Sequence, residues 1–246
     1  MAAVPALVSR ALSTLGLAML AAVSASPAHA EVRLPDAARQ LVVVSSPTAD
    51  PPGPERIATL RSYARARPGG PWRLVLGPWP VETGGGGLLP AARRREGDRA
   101  TPTGVFRFGA TIYGNAPDPG GLRYRYHRLR CGDWWDENPA SPRYNRFVQV
   151  PCRVTPGFAP GSEPLWTERL AYPYFIPIAF NMGPIRRGPR APGSGIFLHS
   201  WVGAATAGCV ALPRARLLRL LRWLTPGRAP EIAIGITAQI AAIRSR

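Results

Sequence analysis

The segment FLHSWVGAATAGCVALP, residues 197–213, contains a histidine and a cysteine whose side chains together can perform nucleophilic catalysis. A cysteine nucleophile needs a base that takes the thiol proton, and donors that stabilise the oxyanion formed during attack. In this interpretation Cys209 is the nucleophile, and His199, at the end of an apolar strand, is the general base. The amides of Gly208 and Cys209 are candidate oxyanion donors. A distant carboxylate or the backbone carbonyl of Ser200 would orient the imidazole ring.

The same two side chains also have a structural interpretation, because a lone cysteine is commonly a small buried hydrophobic residue. Two features favour catalysis. Beyond residue 30 the chain has only two histidines, and the other one, His127, is interpreted as structural. The Thr-x-Gly-Cys turn is also predicted to lie directly before a helix, whose positive dipole end would favour a thiolate at Cys209.

Most other catalytic chemistries find no support in the residue types. The chain has no lysine, which excludes a P-loop lysine, a Schiff-base lysine and a Ser-x-x-Lys nucleophile. It also lacks a close His/Cys cluster for a metal ion and a Gly-x-Ser-x-Gly elbow. A carboxylate pair for sugar cleavage stays open, because the loops contain Asp133, Asp136 and Glu163, although their spacing singles out no pair.

The N-terminus has the three parts of an export signal. Arg10 supplies a positive charge, residues 11–23 are apolar, and Ala28-His29-Ala30 fits a cleavage site. The apolar run is too short to span a bilayer, and no later segment is apolar enough to do so. We therefore predict a cleaved signal peptide at residues 1–30 and an exported mature chain with no membrane span.

Every basic residue of this chain, whose formal net charge is +17, is arginine. The heavy use of Arg, Ala, Gly and Pro indicates a GC-rich bacterial genome, which accounts for much of the excess charge. The remaining interpretation is attraction to a polyanion, which outside the cell means anionic wall polymers or lipid headgroups. The arginines are scattered and no nucleic-acid-binding motif occurs, so nucleic acid is not expected as a partner.

Three cysteines remain in an exported chain, where disulfides persist. Cys131 and Cys152 flank a loop-like segment rich in Pro, Asp and Asn, and we predict a disulfide between them. Cys209 is then the free thiol.

The segments that must position these residues are mostly strands. Strands are predicted at 41–46, 57–65, 72–81, 146–150, 194–200 and 231–236, a turn and a strand within 101–113, and an irregular or edge strand within 171–181. One clear helix is predicted at 213–224, with leucines on one face, Pro213 in its first turn and Thr225-Pro226-Gly227 as its stop. We predict a single mainly β domain at 31–246, with its core at about 40–236.

These residues resemble the catalytic domain of the L,D-transpeptidase (YkuD-like) family. The family pattern is a strand ending in His, a variable loop and [Ser/Thr]-x-Gly-Cys, matched here by Phe197-Leu198-His199 and Thr206-Ala207-Gly208-Cys209. A second element, Thr-Pro-x-Gly-x-Phe, is matched by residues 101–106, with Arg99 before it. PRYNR (142–146), SEPLW (162–166), Asn181 and PGSGIFLH (192–199) resemble the subgroup ending in Thr-x-Gly-Cys-Val-Ala-Leu.

The resemblance implies a β-sandwich-like, mixed-sheet fold and a cysteine acyl-enzyme that acts on peptidoglycan stem peptides. It implies that Cys209 and His199 are nucleophile and base, that Thr206, Asn181 and Arg99 bind substrate, and that no metal or cofactor is needed. An amine acceptor gives 3→3 cross-links, whereas water gives a carboxypeptidase.

Two positions depart from the common family pattern. The family often has a second His where Ala207 stands, and Arg or Asn where Ala211 stands. Three hypotheses therefore stay open: an exported transpeptidase, a hydrolase on the same site, and a non-catalytic wall-binding protein that keeps the fold.

Overall fold

A computed structural model describes residues 34–53 and 57–244, together with Met1. The chain divides into two compact units, Met1–Glu31 and Val32–Arg246, and the fold below is that of the second. The predicted signal peptide, residues 1–30, lies outside the described residues.

Strands dominate the described part of the chain. The strands are β1 Gln40–Ser46, β2 Ala58–Ala64, β3 Arg73–Val81, β4 Leu88–Pro90, β5 Thr101–Arg107, β6 Thr111–Gly114, β7 Arg125–Arg128, β8 Asp133–Asp136, β9 Arg146–Gln149, β10 Glu163–Pro164, β11 Phe175–Pro177, β12 Phe197–Ser200, β13 Val210–Leu212 and β14 Pro230–Ile236. The α-helices are α1 Arg214–Trp223 and α2 Thr237–Arg244, and short 3-10 helices span Ala91–Arg93 and Pro226–Arg228. The predicted mainly β, mixed-sheet fold is confirmed.

The first sheet, in the order β3-β2-β1-β14-β5-β4, has the most hydrophobic strands at its centre. β1 and β14 pair in parallel, and every residue of β1 is buried, as its run of valines predicts. The leucines of α1 pack with Val42 and Val44 on one face. Ile240 of α2 packs with Leu41 and Val43 on the other. Both faces of β1 are therefore covered.

The second sheet, in the order β13-β12-β11-β6-β7, separates two hydrophobic clusters. Leu198, Val210 and Leu212 belong to the core that the second sheet shares with the first sheet and α1. Phe197 and Cys209 belong to the cluster on its other face. Because side chains alternate between the two faces of a strand, β12 directs Leu198 and Phe197 to opposite sides.

The third sheet, in the order β10-β8-β9, borders the second of these clusters and contributes Trp135 to it. The predicted disulfide is present, joining Cys131 and Cys152 with their Cα atoms 4.9 Å apart. It closes the chain segment that contains β8 and β9. Trp135 and Tyr144, within this segment, are buried and pack in the interior.

The short strands β4, β7, β8 and β10 were not predicted, and other details also differ from the sequence-based expectation. Residues 171–181 form only the short strand β11, and it lies inside its sheet rather than at an edge. The prolines shorten it because proline has no N–H for the ladder. Residues 101–113 form two strands, β5 and β6, in different sheets. The chain continues after β14 with α2, a helix too short to show clear periodicity. β13 separates Cys209 from α1.

Candidate active site

The parallel pairing of β12 with β13 brings the two predicted catalytic residues to one face of the second sheet. The register joins Leu198 to Val210 and His199 to Ala211. Cys209 immediately precedes β13, and the amide of Phe197 donates a hydrogen bond to its Sγ over 3.2 Å. Paired residues on neighbouring strands share a face, and so do residues two apart along one strand. His199 and Cys209 are therefore diagonal neighbours on the same face.

The Cys209 thiol is enclosed and hydrogen-bonded. Its side chain is among the buried residues at 7% exposure, and its Sγ donates to the carbonyl of Gly195 over 3.2 Å. Burial raises the pKa of Cys209 far above its ordinary value, and the nearby carboxylates of Glu163 and Glu137 raise it further. The Phe197 amide and the Arg94 guanidinium oppose that shift. The resting form of Cys209 is therefore the neutral thiol.

His199 is held as a neutral imidazole with one defined tautomer. Its Nδ1 lies 2.8 Å from the carbonyl oxygen of Ser200, so Nδ1 carries the hydrogen and Nε2 keeps a lone pair. Burial lowers the pKa of His199 to about 4, although the Ser200 and Ala171 carbonyls favour the charged form. The ring also meets the ring of Tyr172 edge-to-face, with 5.5 Å between centroids. His199 is thus a neutral imidazole at neutral pH, with its Nε2 unprotonated.

Thr206 shapes the turn that leads into Cys209. Its Oγ1 donates to the Cys209 carbonyl over 2.7 Å and accepts from the Gly208 amide over 3.1 Å. The amide of Gly208 is therefore already engaged, whereas that of Cys209 donates no hydrogen bond within the described part of the chain. Of the two predicted oxyanion donors, Cys209 N is the one left available.

The Thr-Pro-x-Gly element lies against the same turn. Thr101 Oγ1 lies 3.5 Å from the Cys209 carbonyl and accepts a hydrogen bond from the Gly84 amide. An added Cβ on Gly208 would lie 2.8 Å from the carbonyl of Ala100. Two motifs that are about a hundred residues apart in sequence are therefore in direct contact.

The remaining predicted substrate contacts have distinct positions. Arg99 is exposed and has a left-handed backbone with φ of 57°. Asn181 uses its amide within the protein, since Nδ2 donates to the carbonyls of Arg186 and Gly193 and Oδ1 accepts from the Arg186 amide. Asn181 thus anchors the loop that precedes β12.

The expected helix dipole at Cys209 is wrong. Residues 210–212 form β13, and α1 begins only at Arg214. The short strand separates the thiol from the N-terminus of the helix, and the dipole effect falls off within one turn. The thiol consequently has no helix terminus to lower its pKa.

The structure adds charged residues around the thiol that the sequence motifs did not reveal. The Tyr172 hydroxyl donates to the carboxylate of Glu163, 2.9 Å from each oxygen. The Glu137 carboxylate lies over Gly195, where an added Cβ would be 1.7 Å from its Oε1. The side chain of Arg94 is 2% exposed and pairs with Asp98. The contact of Glu137 with Gly195 joins segments that are distant in the sequence, so no local pattern could have predicted it.

His127, the other histidine of the predicted mature chain, has partners of its own. Its Nε2 lies 2.7 Å from Asp133 Oδ2, and its ring packs edge-on against Phe147. Within residues 34–53 and 57–244, no group of three or more His, Cys, Asp or Glu side chains could hold a metal ion. No helix in those ranges is long and apolar enough to cross a membrane.

Comparison with known proteins identifies the domain. The family model YkuD, described as the L,D-transpeptidase catalytic domain, matches residues 58–234. No curated protein and no solved structure matches the chain. The matched range includes β12, β13 and the turn at Cys209. From this match over most of its length, the chain belongs to the YkuD family of L,D-transpeptidase catalytic domains, whose activity is directed at peptidoglycan.

Proposed function

We propose that this chain is an exported cysteine transpeptidase that forms an acyl-enzyme on Cys209 and makes 3→3 cross-links between stem peptides. The observation that carries the proposal is the diagonal placement of His199 and Cys209 on one face of paired strands. With Nδ1 held by the Ser200 carbonyl, the Nε2 lone pair of His199 would be the base that a neutral thiol requires.

The first half-reaction acylates the thiol. The Cys209 sulfur attacks the carbonyl that joins the diamino acid at position three to D-Ala at position four, and His199 takes the thiol proton. The C–N bond breaks, His199 returns that proton to the nitrogen, and D-Ala leaves. Because both resting groups are neutral, the charge separates only during attack, where the free Cys209 amide would stabilise the oxyanion.

The second half-reaction releases the thiol. A side-chain amine of a second stem attacks the thioester, the C–S bond breaks, and an amide bond forms. Water as the acceptor would give a tripeptide and make the enzyme a carboxypeptidase, which is the alternative function on the same site.

Substrate contacts and location complete the proposal. Arg99 is an exposed cation two residues before the Thr-Pro-x-Gly element, whereas Thr206 and Asn181 shape the two loops beside Cys209. The Cys131–Cys152 disulfide supports an extracytoplasmic location in a bacterium, after removal of residues 1–30. The charge of +17 supports a weak attraction to anionic wall polymers.

Mass spectrometry of the protein with a carbapenem, and separately with disaccharide tetrapeptide, tests the proposal. We expect a covalent adduct on Cys209 and a cross-linked dimer with loss of D-Ala. The Cys209→Ala variant is the control and should give neither. Tripeptide without dimer would establish the hydrolase instead, and no adduct with a reduced Cys209 would refute the enzyme.

A further inference from the structure

A cleft opens beside β7, which is the edge strand of the second sheet opposite to β13. Its volume is about 560 Å³, and its lining includes Asp118, Tyr126, His127, Arg128, Arg130 and Gln149. Neighbouring strands of a sheet lie about 4.8 Å apart, so four such steps place β7 about 19 Å from β13. The cleft is therefore distinct from the turn at Cys209, and the proposed chemistry uses none of its residues.

One buried carboxylate organises the residues that line the cleft. Asp133, at the start of β8, is fully buried and lies 2.7 Å from His127 Nε2. It also accepts hydrogen bonds from the amide of Arg130 over 2.8 Å and from Nε2 of Gln149 over 3.0 Å. Because an ionised carboxylate only accepts, Nε2 of His127 carries the hydrogen. Three lining residues are thus fixed around a charge that three donors already compensate.

The loop between β6 and β7 forms another wall, and side chains from outside the loop hold its backbone. The Tyr174 hydroxyl donates to the carbonyl of Pro117, which also lines the cleft, over 2.9 Å. Arg222 of α1 donates to the carbonyls of Pro119 and Gly120 over 2.6 and 3.0 Å. A wall that is already held in this way loses little conformational freedom when a ligand binds.

The cationic side chains at the cleft have no acidic partner. Arg128 and Arg130 are exposed, and their guanidinium groups make no ion pair or hydrogen bond with any residue that the structure describes. Arg123 and Arg125, just upstream, are exposed and lack such partners in the same part of the chain. Among the described lining residues, Asp118 is the one carboxylate. The surplus of positive charge therefore attracts an anion.

The cleft is better suited to a phosphodiester than to a carboxylate. One guanidinium fork fills both oxygens of a planar carboxylate, whereas the tetrahedral oxygens of a phosphate engage two guanidinium groups from different directions. Asp118 Oδ2 and Gln149 Oε1 accept no hydrogen bond from any described residue, so each can accept one from a hydroxyl group. An anion flanked by hydroxyl groups is the chemistry of a polyol phosphate.

A polymer fits this surface better than a lipid bilayer does. A surface that binds a bilayer combines cations with apolar side chains that enter the membrane. The large apolar side chains that are exposed among the described residues lie elsewhere, and none of them falls within residues 117–130. Arg123 and Arg125 extend the positive surface along the chain, which suits a ligand with repeated charges.

We propose that the cleft beside β7 binds a polyol-phosphate chain of the cell wall. Arg128 and Arg130 hold one phosphodiester, and the hydroxyl groups beside it donate hydrogen bonds to Asp118 and Gln149. The bound chain keeps the domain at the wall and leaves the Cys209 turn, at the opposite edge of the sheet, open to stem peptides. The choice of a wall polymer rests on the export that is part of the proposed function, whereas the chemistry of the cleft does not.

Isothermal titration calorimetry with a defined oligomer of glycerol phosphate, at one fixed ionic strength, tests the site. We expect the Arg128→Gln/Arg130→Gln variant to bind the oligomer at least about tenfold more weakly than the unmodified protein, because each lost guanidinium removes charge-assisted hydrogen bonds. Both side chains are exposed, so the variant should keep its unfolding temperature.

A matched variant separates this site from the overall charge of +17. Arg67→Gln/Arg73→Gln also removes two exposed positive charges, but at the hairpin of β2 and β3. We expect it to bind the oligomer within about twofold of the unmodified protein, because salt screens distant exposed charges. Equal weakening in the two double variants would overturn the proposal, since net charge alone would then attract the polymer.

Two further ligands test the chemistry of the ligand. Polygalacturonate presents carboxylates on a polymer, and phosphatidylglycerol vesicles present phosphodiesters on a lipid surface. We expect both to bind at least about tenfold more weakly than the glycerol phosphate oligomer at the same concentration of charge. Equal affinity for polygalacturonate would overturn the choice of a phosphodiester, and equal affinity for the vesicles would overturn the choice of a polymer.

Carbapenem acylation keeps this inference separate from the proposed function. The Arg128→Gln/Arg130→Gln variant should form the Cys209 adduct at the unmodified rate, because the cleft lies at the opposite edge of the sheet. Slower adduct formation in the folded variant would overturn the separate role of the cleft. If the oligomer binds through the cleft but no adduct forms, the proposed function alone is wrong. If the adduct forms but the oligomer does not bind, the cleft alone is wrong.

Discussion

Burial shifts the pKa values of the two proposed catalytic residues in opposite directions, and both shifts favour the uncharged form. It lowers the pKa of His199 and raises that of Cys209, so both are neutral at physiological pH. An enzyme with a pre-formed thiolate would need a nearby cation or a helix N-terminus at the sulfur. Here β13 occupies the place of that terminus, and the adjacent side chains are mostly acidic. Activation of the thiol must therefore accompany substrate attack.

Slow alkylation should reveal the neutral thiol. Cys209 is the free cysteine, because the other two form the disulfide. We expect iodoacetamide at pH 8 to modify it at least about tenfold more slowly than glutathione, because the thiol is buried and little thiolate forms. The same protein in urea should react at the rate of the free thiol. Equal rates in the folded state would contradict the buried, protonated form.

The depressed pKa of His199 should appear in the pH dependence of stability. Its ordinary value is 6.5 and its folded value is about 4, so the unfolded chain binds a proton first as the pH falls. This contribution is fully present above pH 6.5 and is lost between 6.5 and 4. Its size is about 3 kcal/mol.

Urea denaturation at pH 7 and pH 4 measures that loss. His199→Gln cannot bind the proton, so its free energy of unfolding should fall by less over the same interval. The comparison between the two proteins removes the contributions of other groups, including the glutamates whose raised pKa values act in the opposite direction. An equal loss of unfolding free energy in both proteins would show that His199 is not the group responsible.

The strands and turns decide which side chains reach the thiol. β12 and β13 are parallel neighbours, although only nine residues connect His199 to Cys209. The intervening loop is mostly exposed and returns through a tight turn at Thr206 and Gly208. The apolar patterns predicted β12, β14 and α1 well. β13 escaped prediction because three residues are too few for a period.

Gly208 should tolerate no side chain because of a steric clash. Comparison with Gly203 separates that clash from backbone strain. Gly208 has φ of 132° and would place a Cβ 2.8 Å from the Ala100 carbonyl. Gly203 has φ of 90°, but a Cβ there meets nothing within 4 Å. Both substitutions to Ala strain the backbone, and only Gly208→Ala adds a collision.

We expect Gly208→Ala to be less stable than Gly203→Ala by about 1–3 kcal/mol, the cost of local strain in a packed site. Thermal or urea unfolding gives the difference. Turnover should fall further in Gly208→Ala, because the turn also sets the direction of the Cys209 amide. Equal stability of the two variants would mean that the contact with Ala100 relaxes freely.

The whole molecule brings three sheets together around the site. The second sheet contributes the proposed nucleophile and base, the first sheet packs against its rear face, and the third sheet covers the front. Glu137 and Glu163 come from the covering layer. The charges near the thiol thus depend on how this layer is held.

Removal of the disulfide should therefore affect stability and transfer together. The bond spans 21 residues, so a Cys131→Ser/Cys152→Ser double variant should lose about 3 kcal/mol in free energy of unfolding. We expect turnover to fall as well, since Glu137 lies inside the closed segment and contacts Gly195, whose carbonyl holds the Cys209 thiol. A phosphine reductant should reproduce both effects in the unmodified protein and leave the variant unchanged. An unchanged urea midpoint would contradict this.

Sequence alone predicted the central strands, the first helix and the disulfide, and it singled out Cys209 and His199 as the candidate nucleophile and base. Those features depend on residue type and on short-range periodicity, which a linear sequence displays directly. Only the tertiary structure decided the ionisation of Cys209 and His199, the strand between Cys209 and α1, and the meeting of Arg94, Glu137 and Glu163 beside the thiol. Burial and electrostatic potential are sums over residues from distant parts of the chain, so they exist only after those parts have packed.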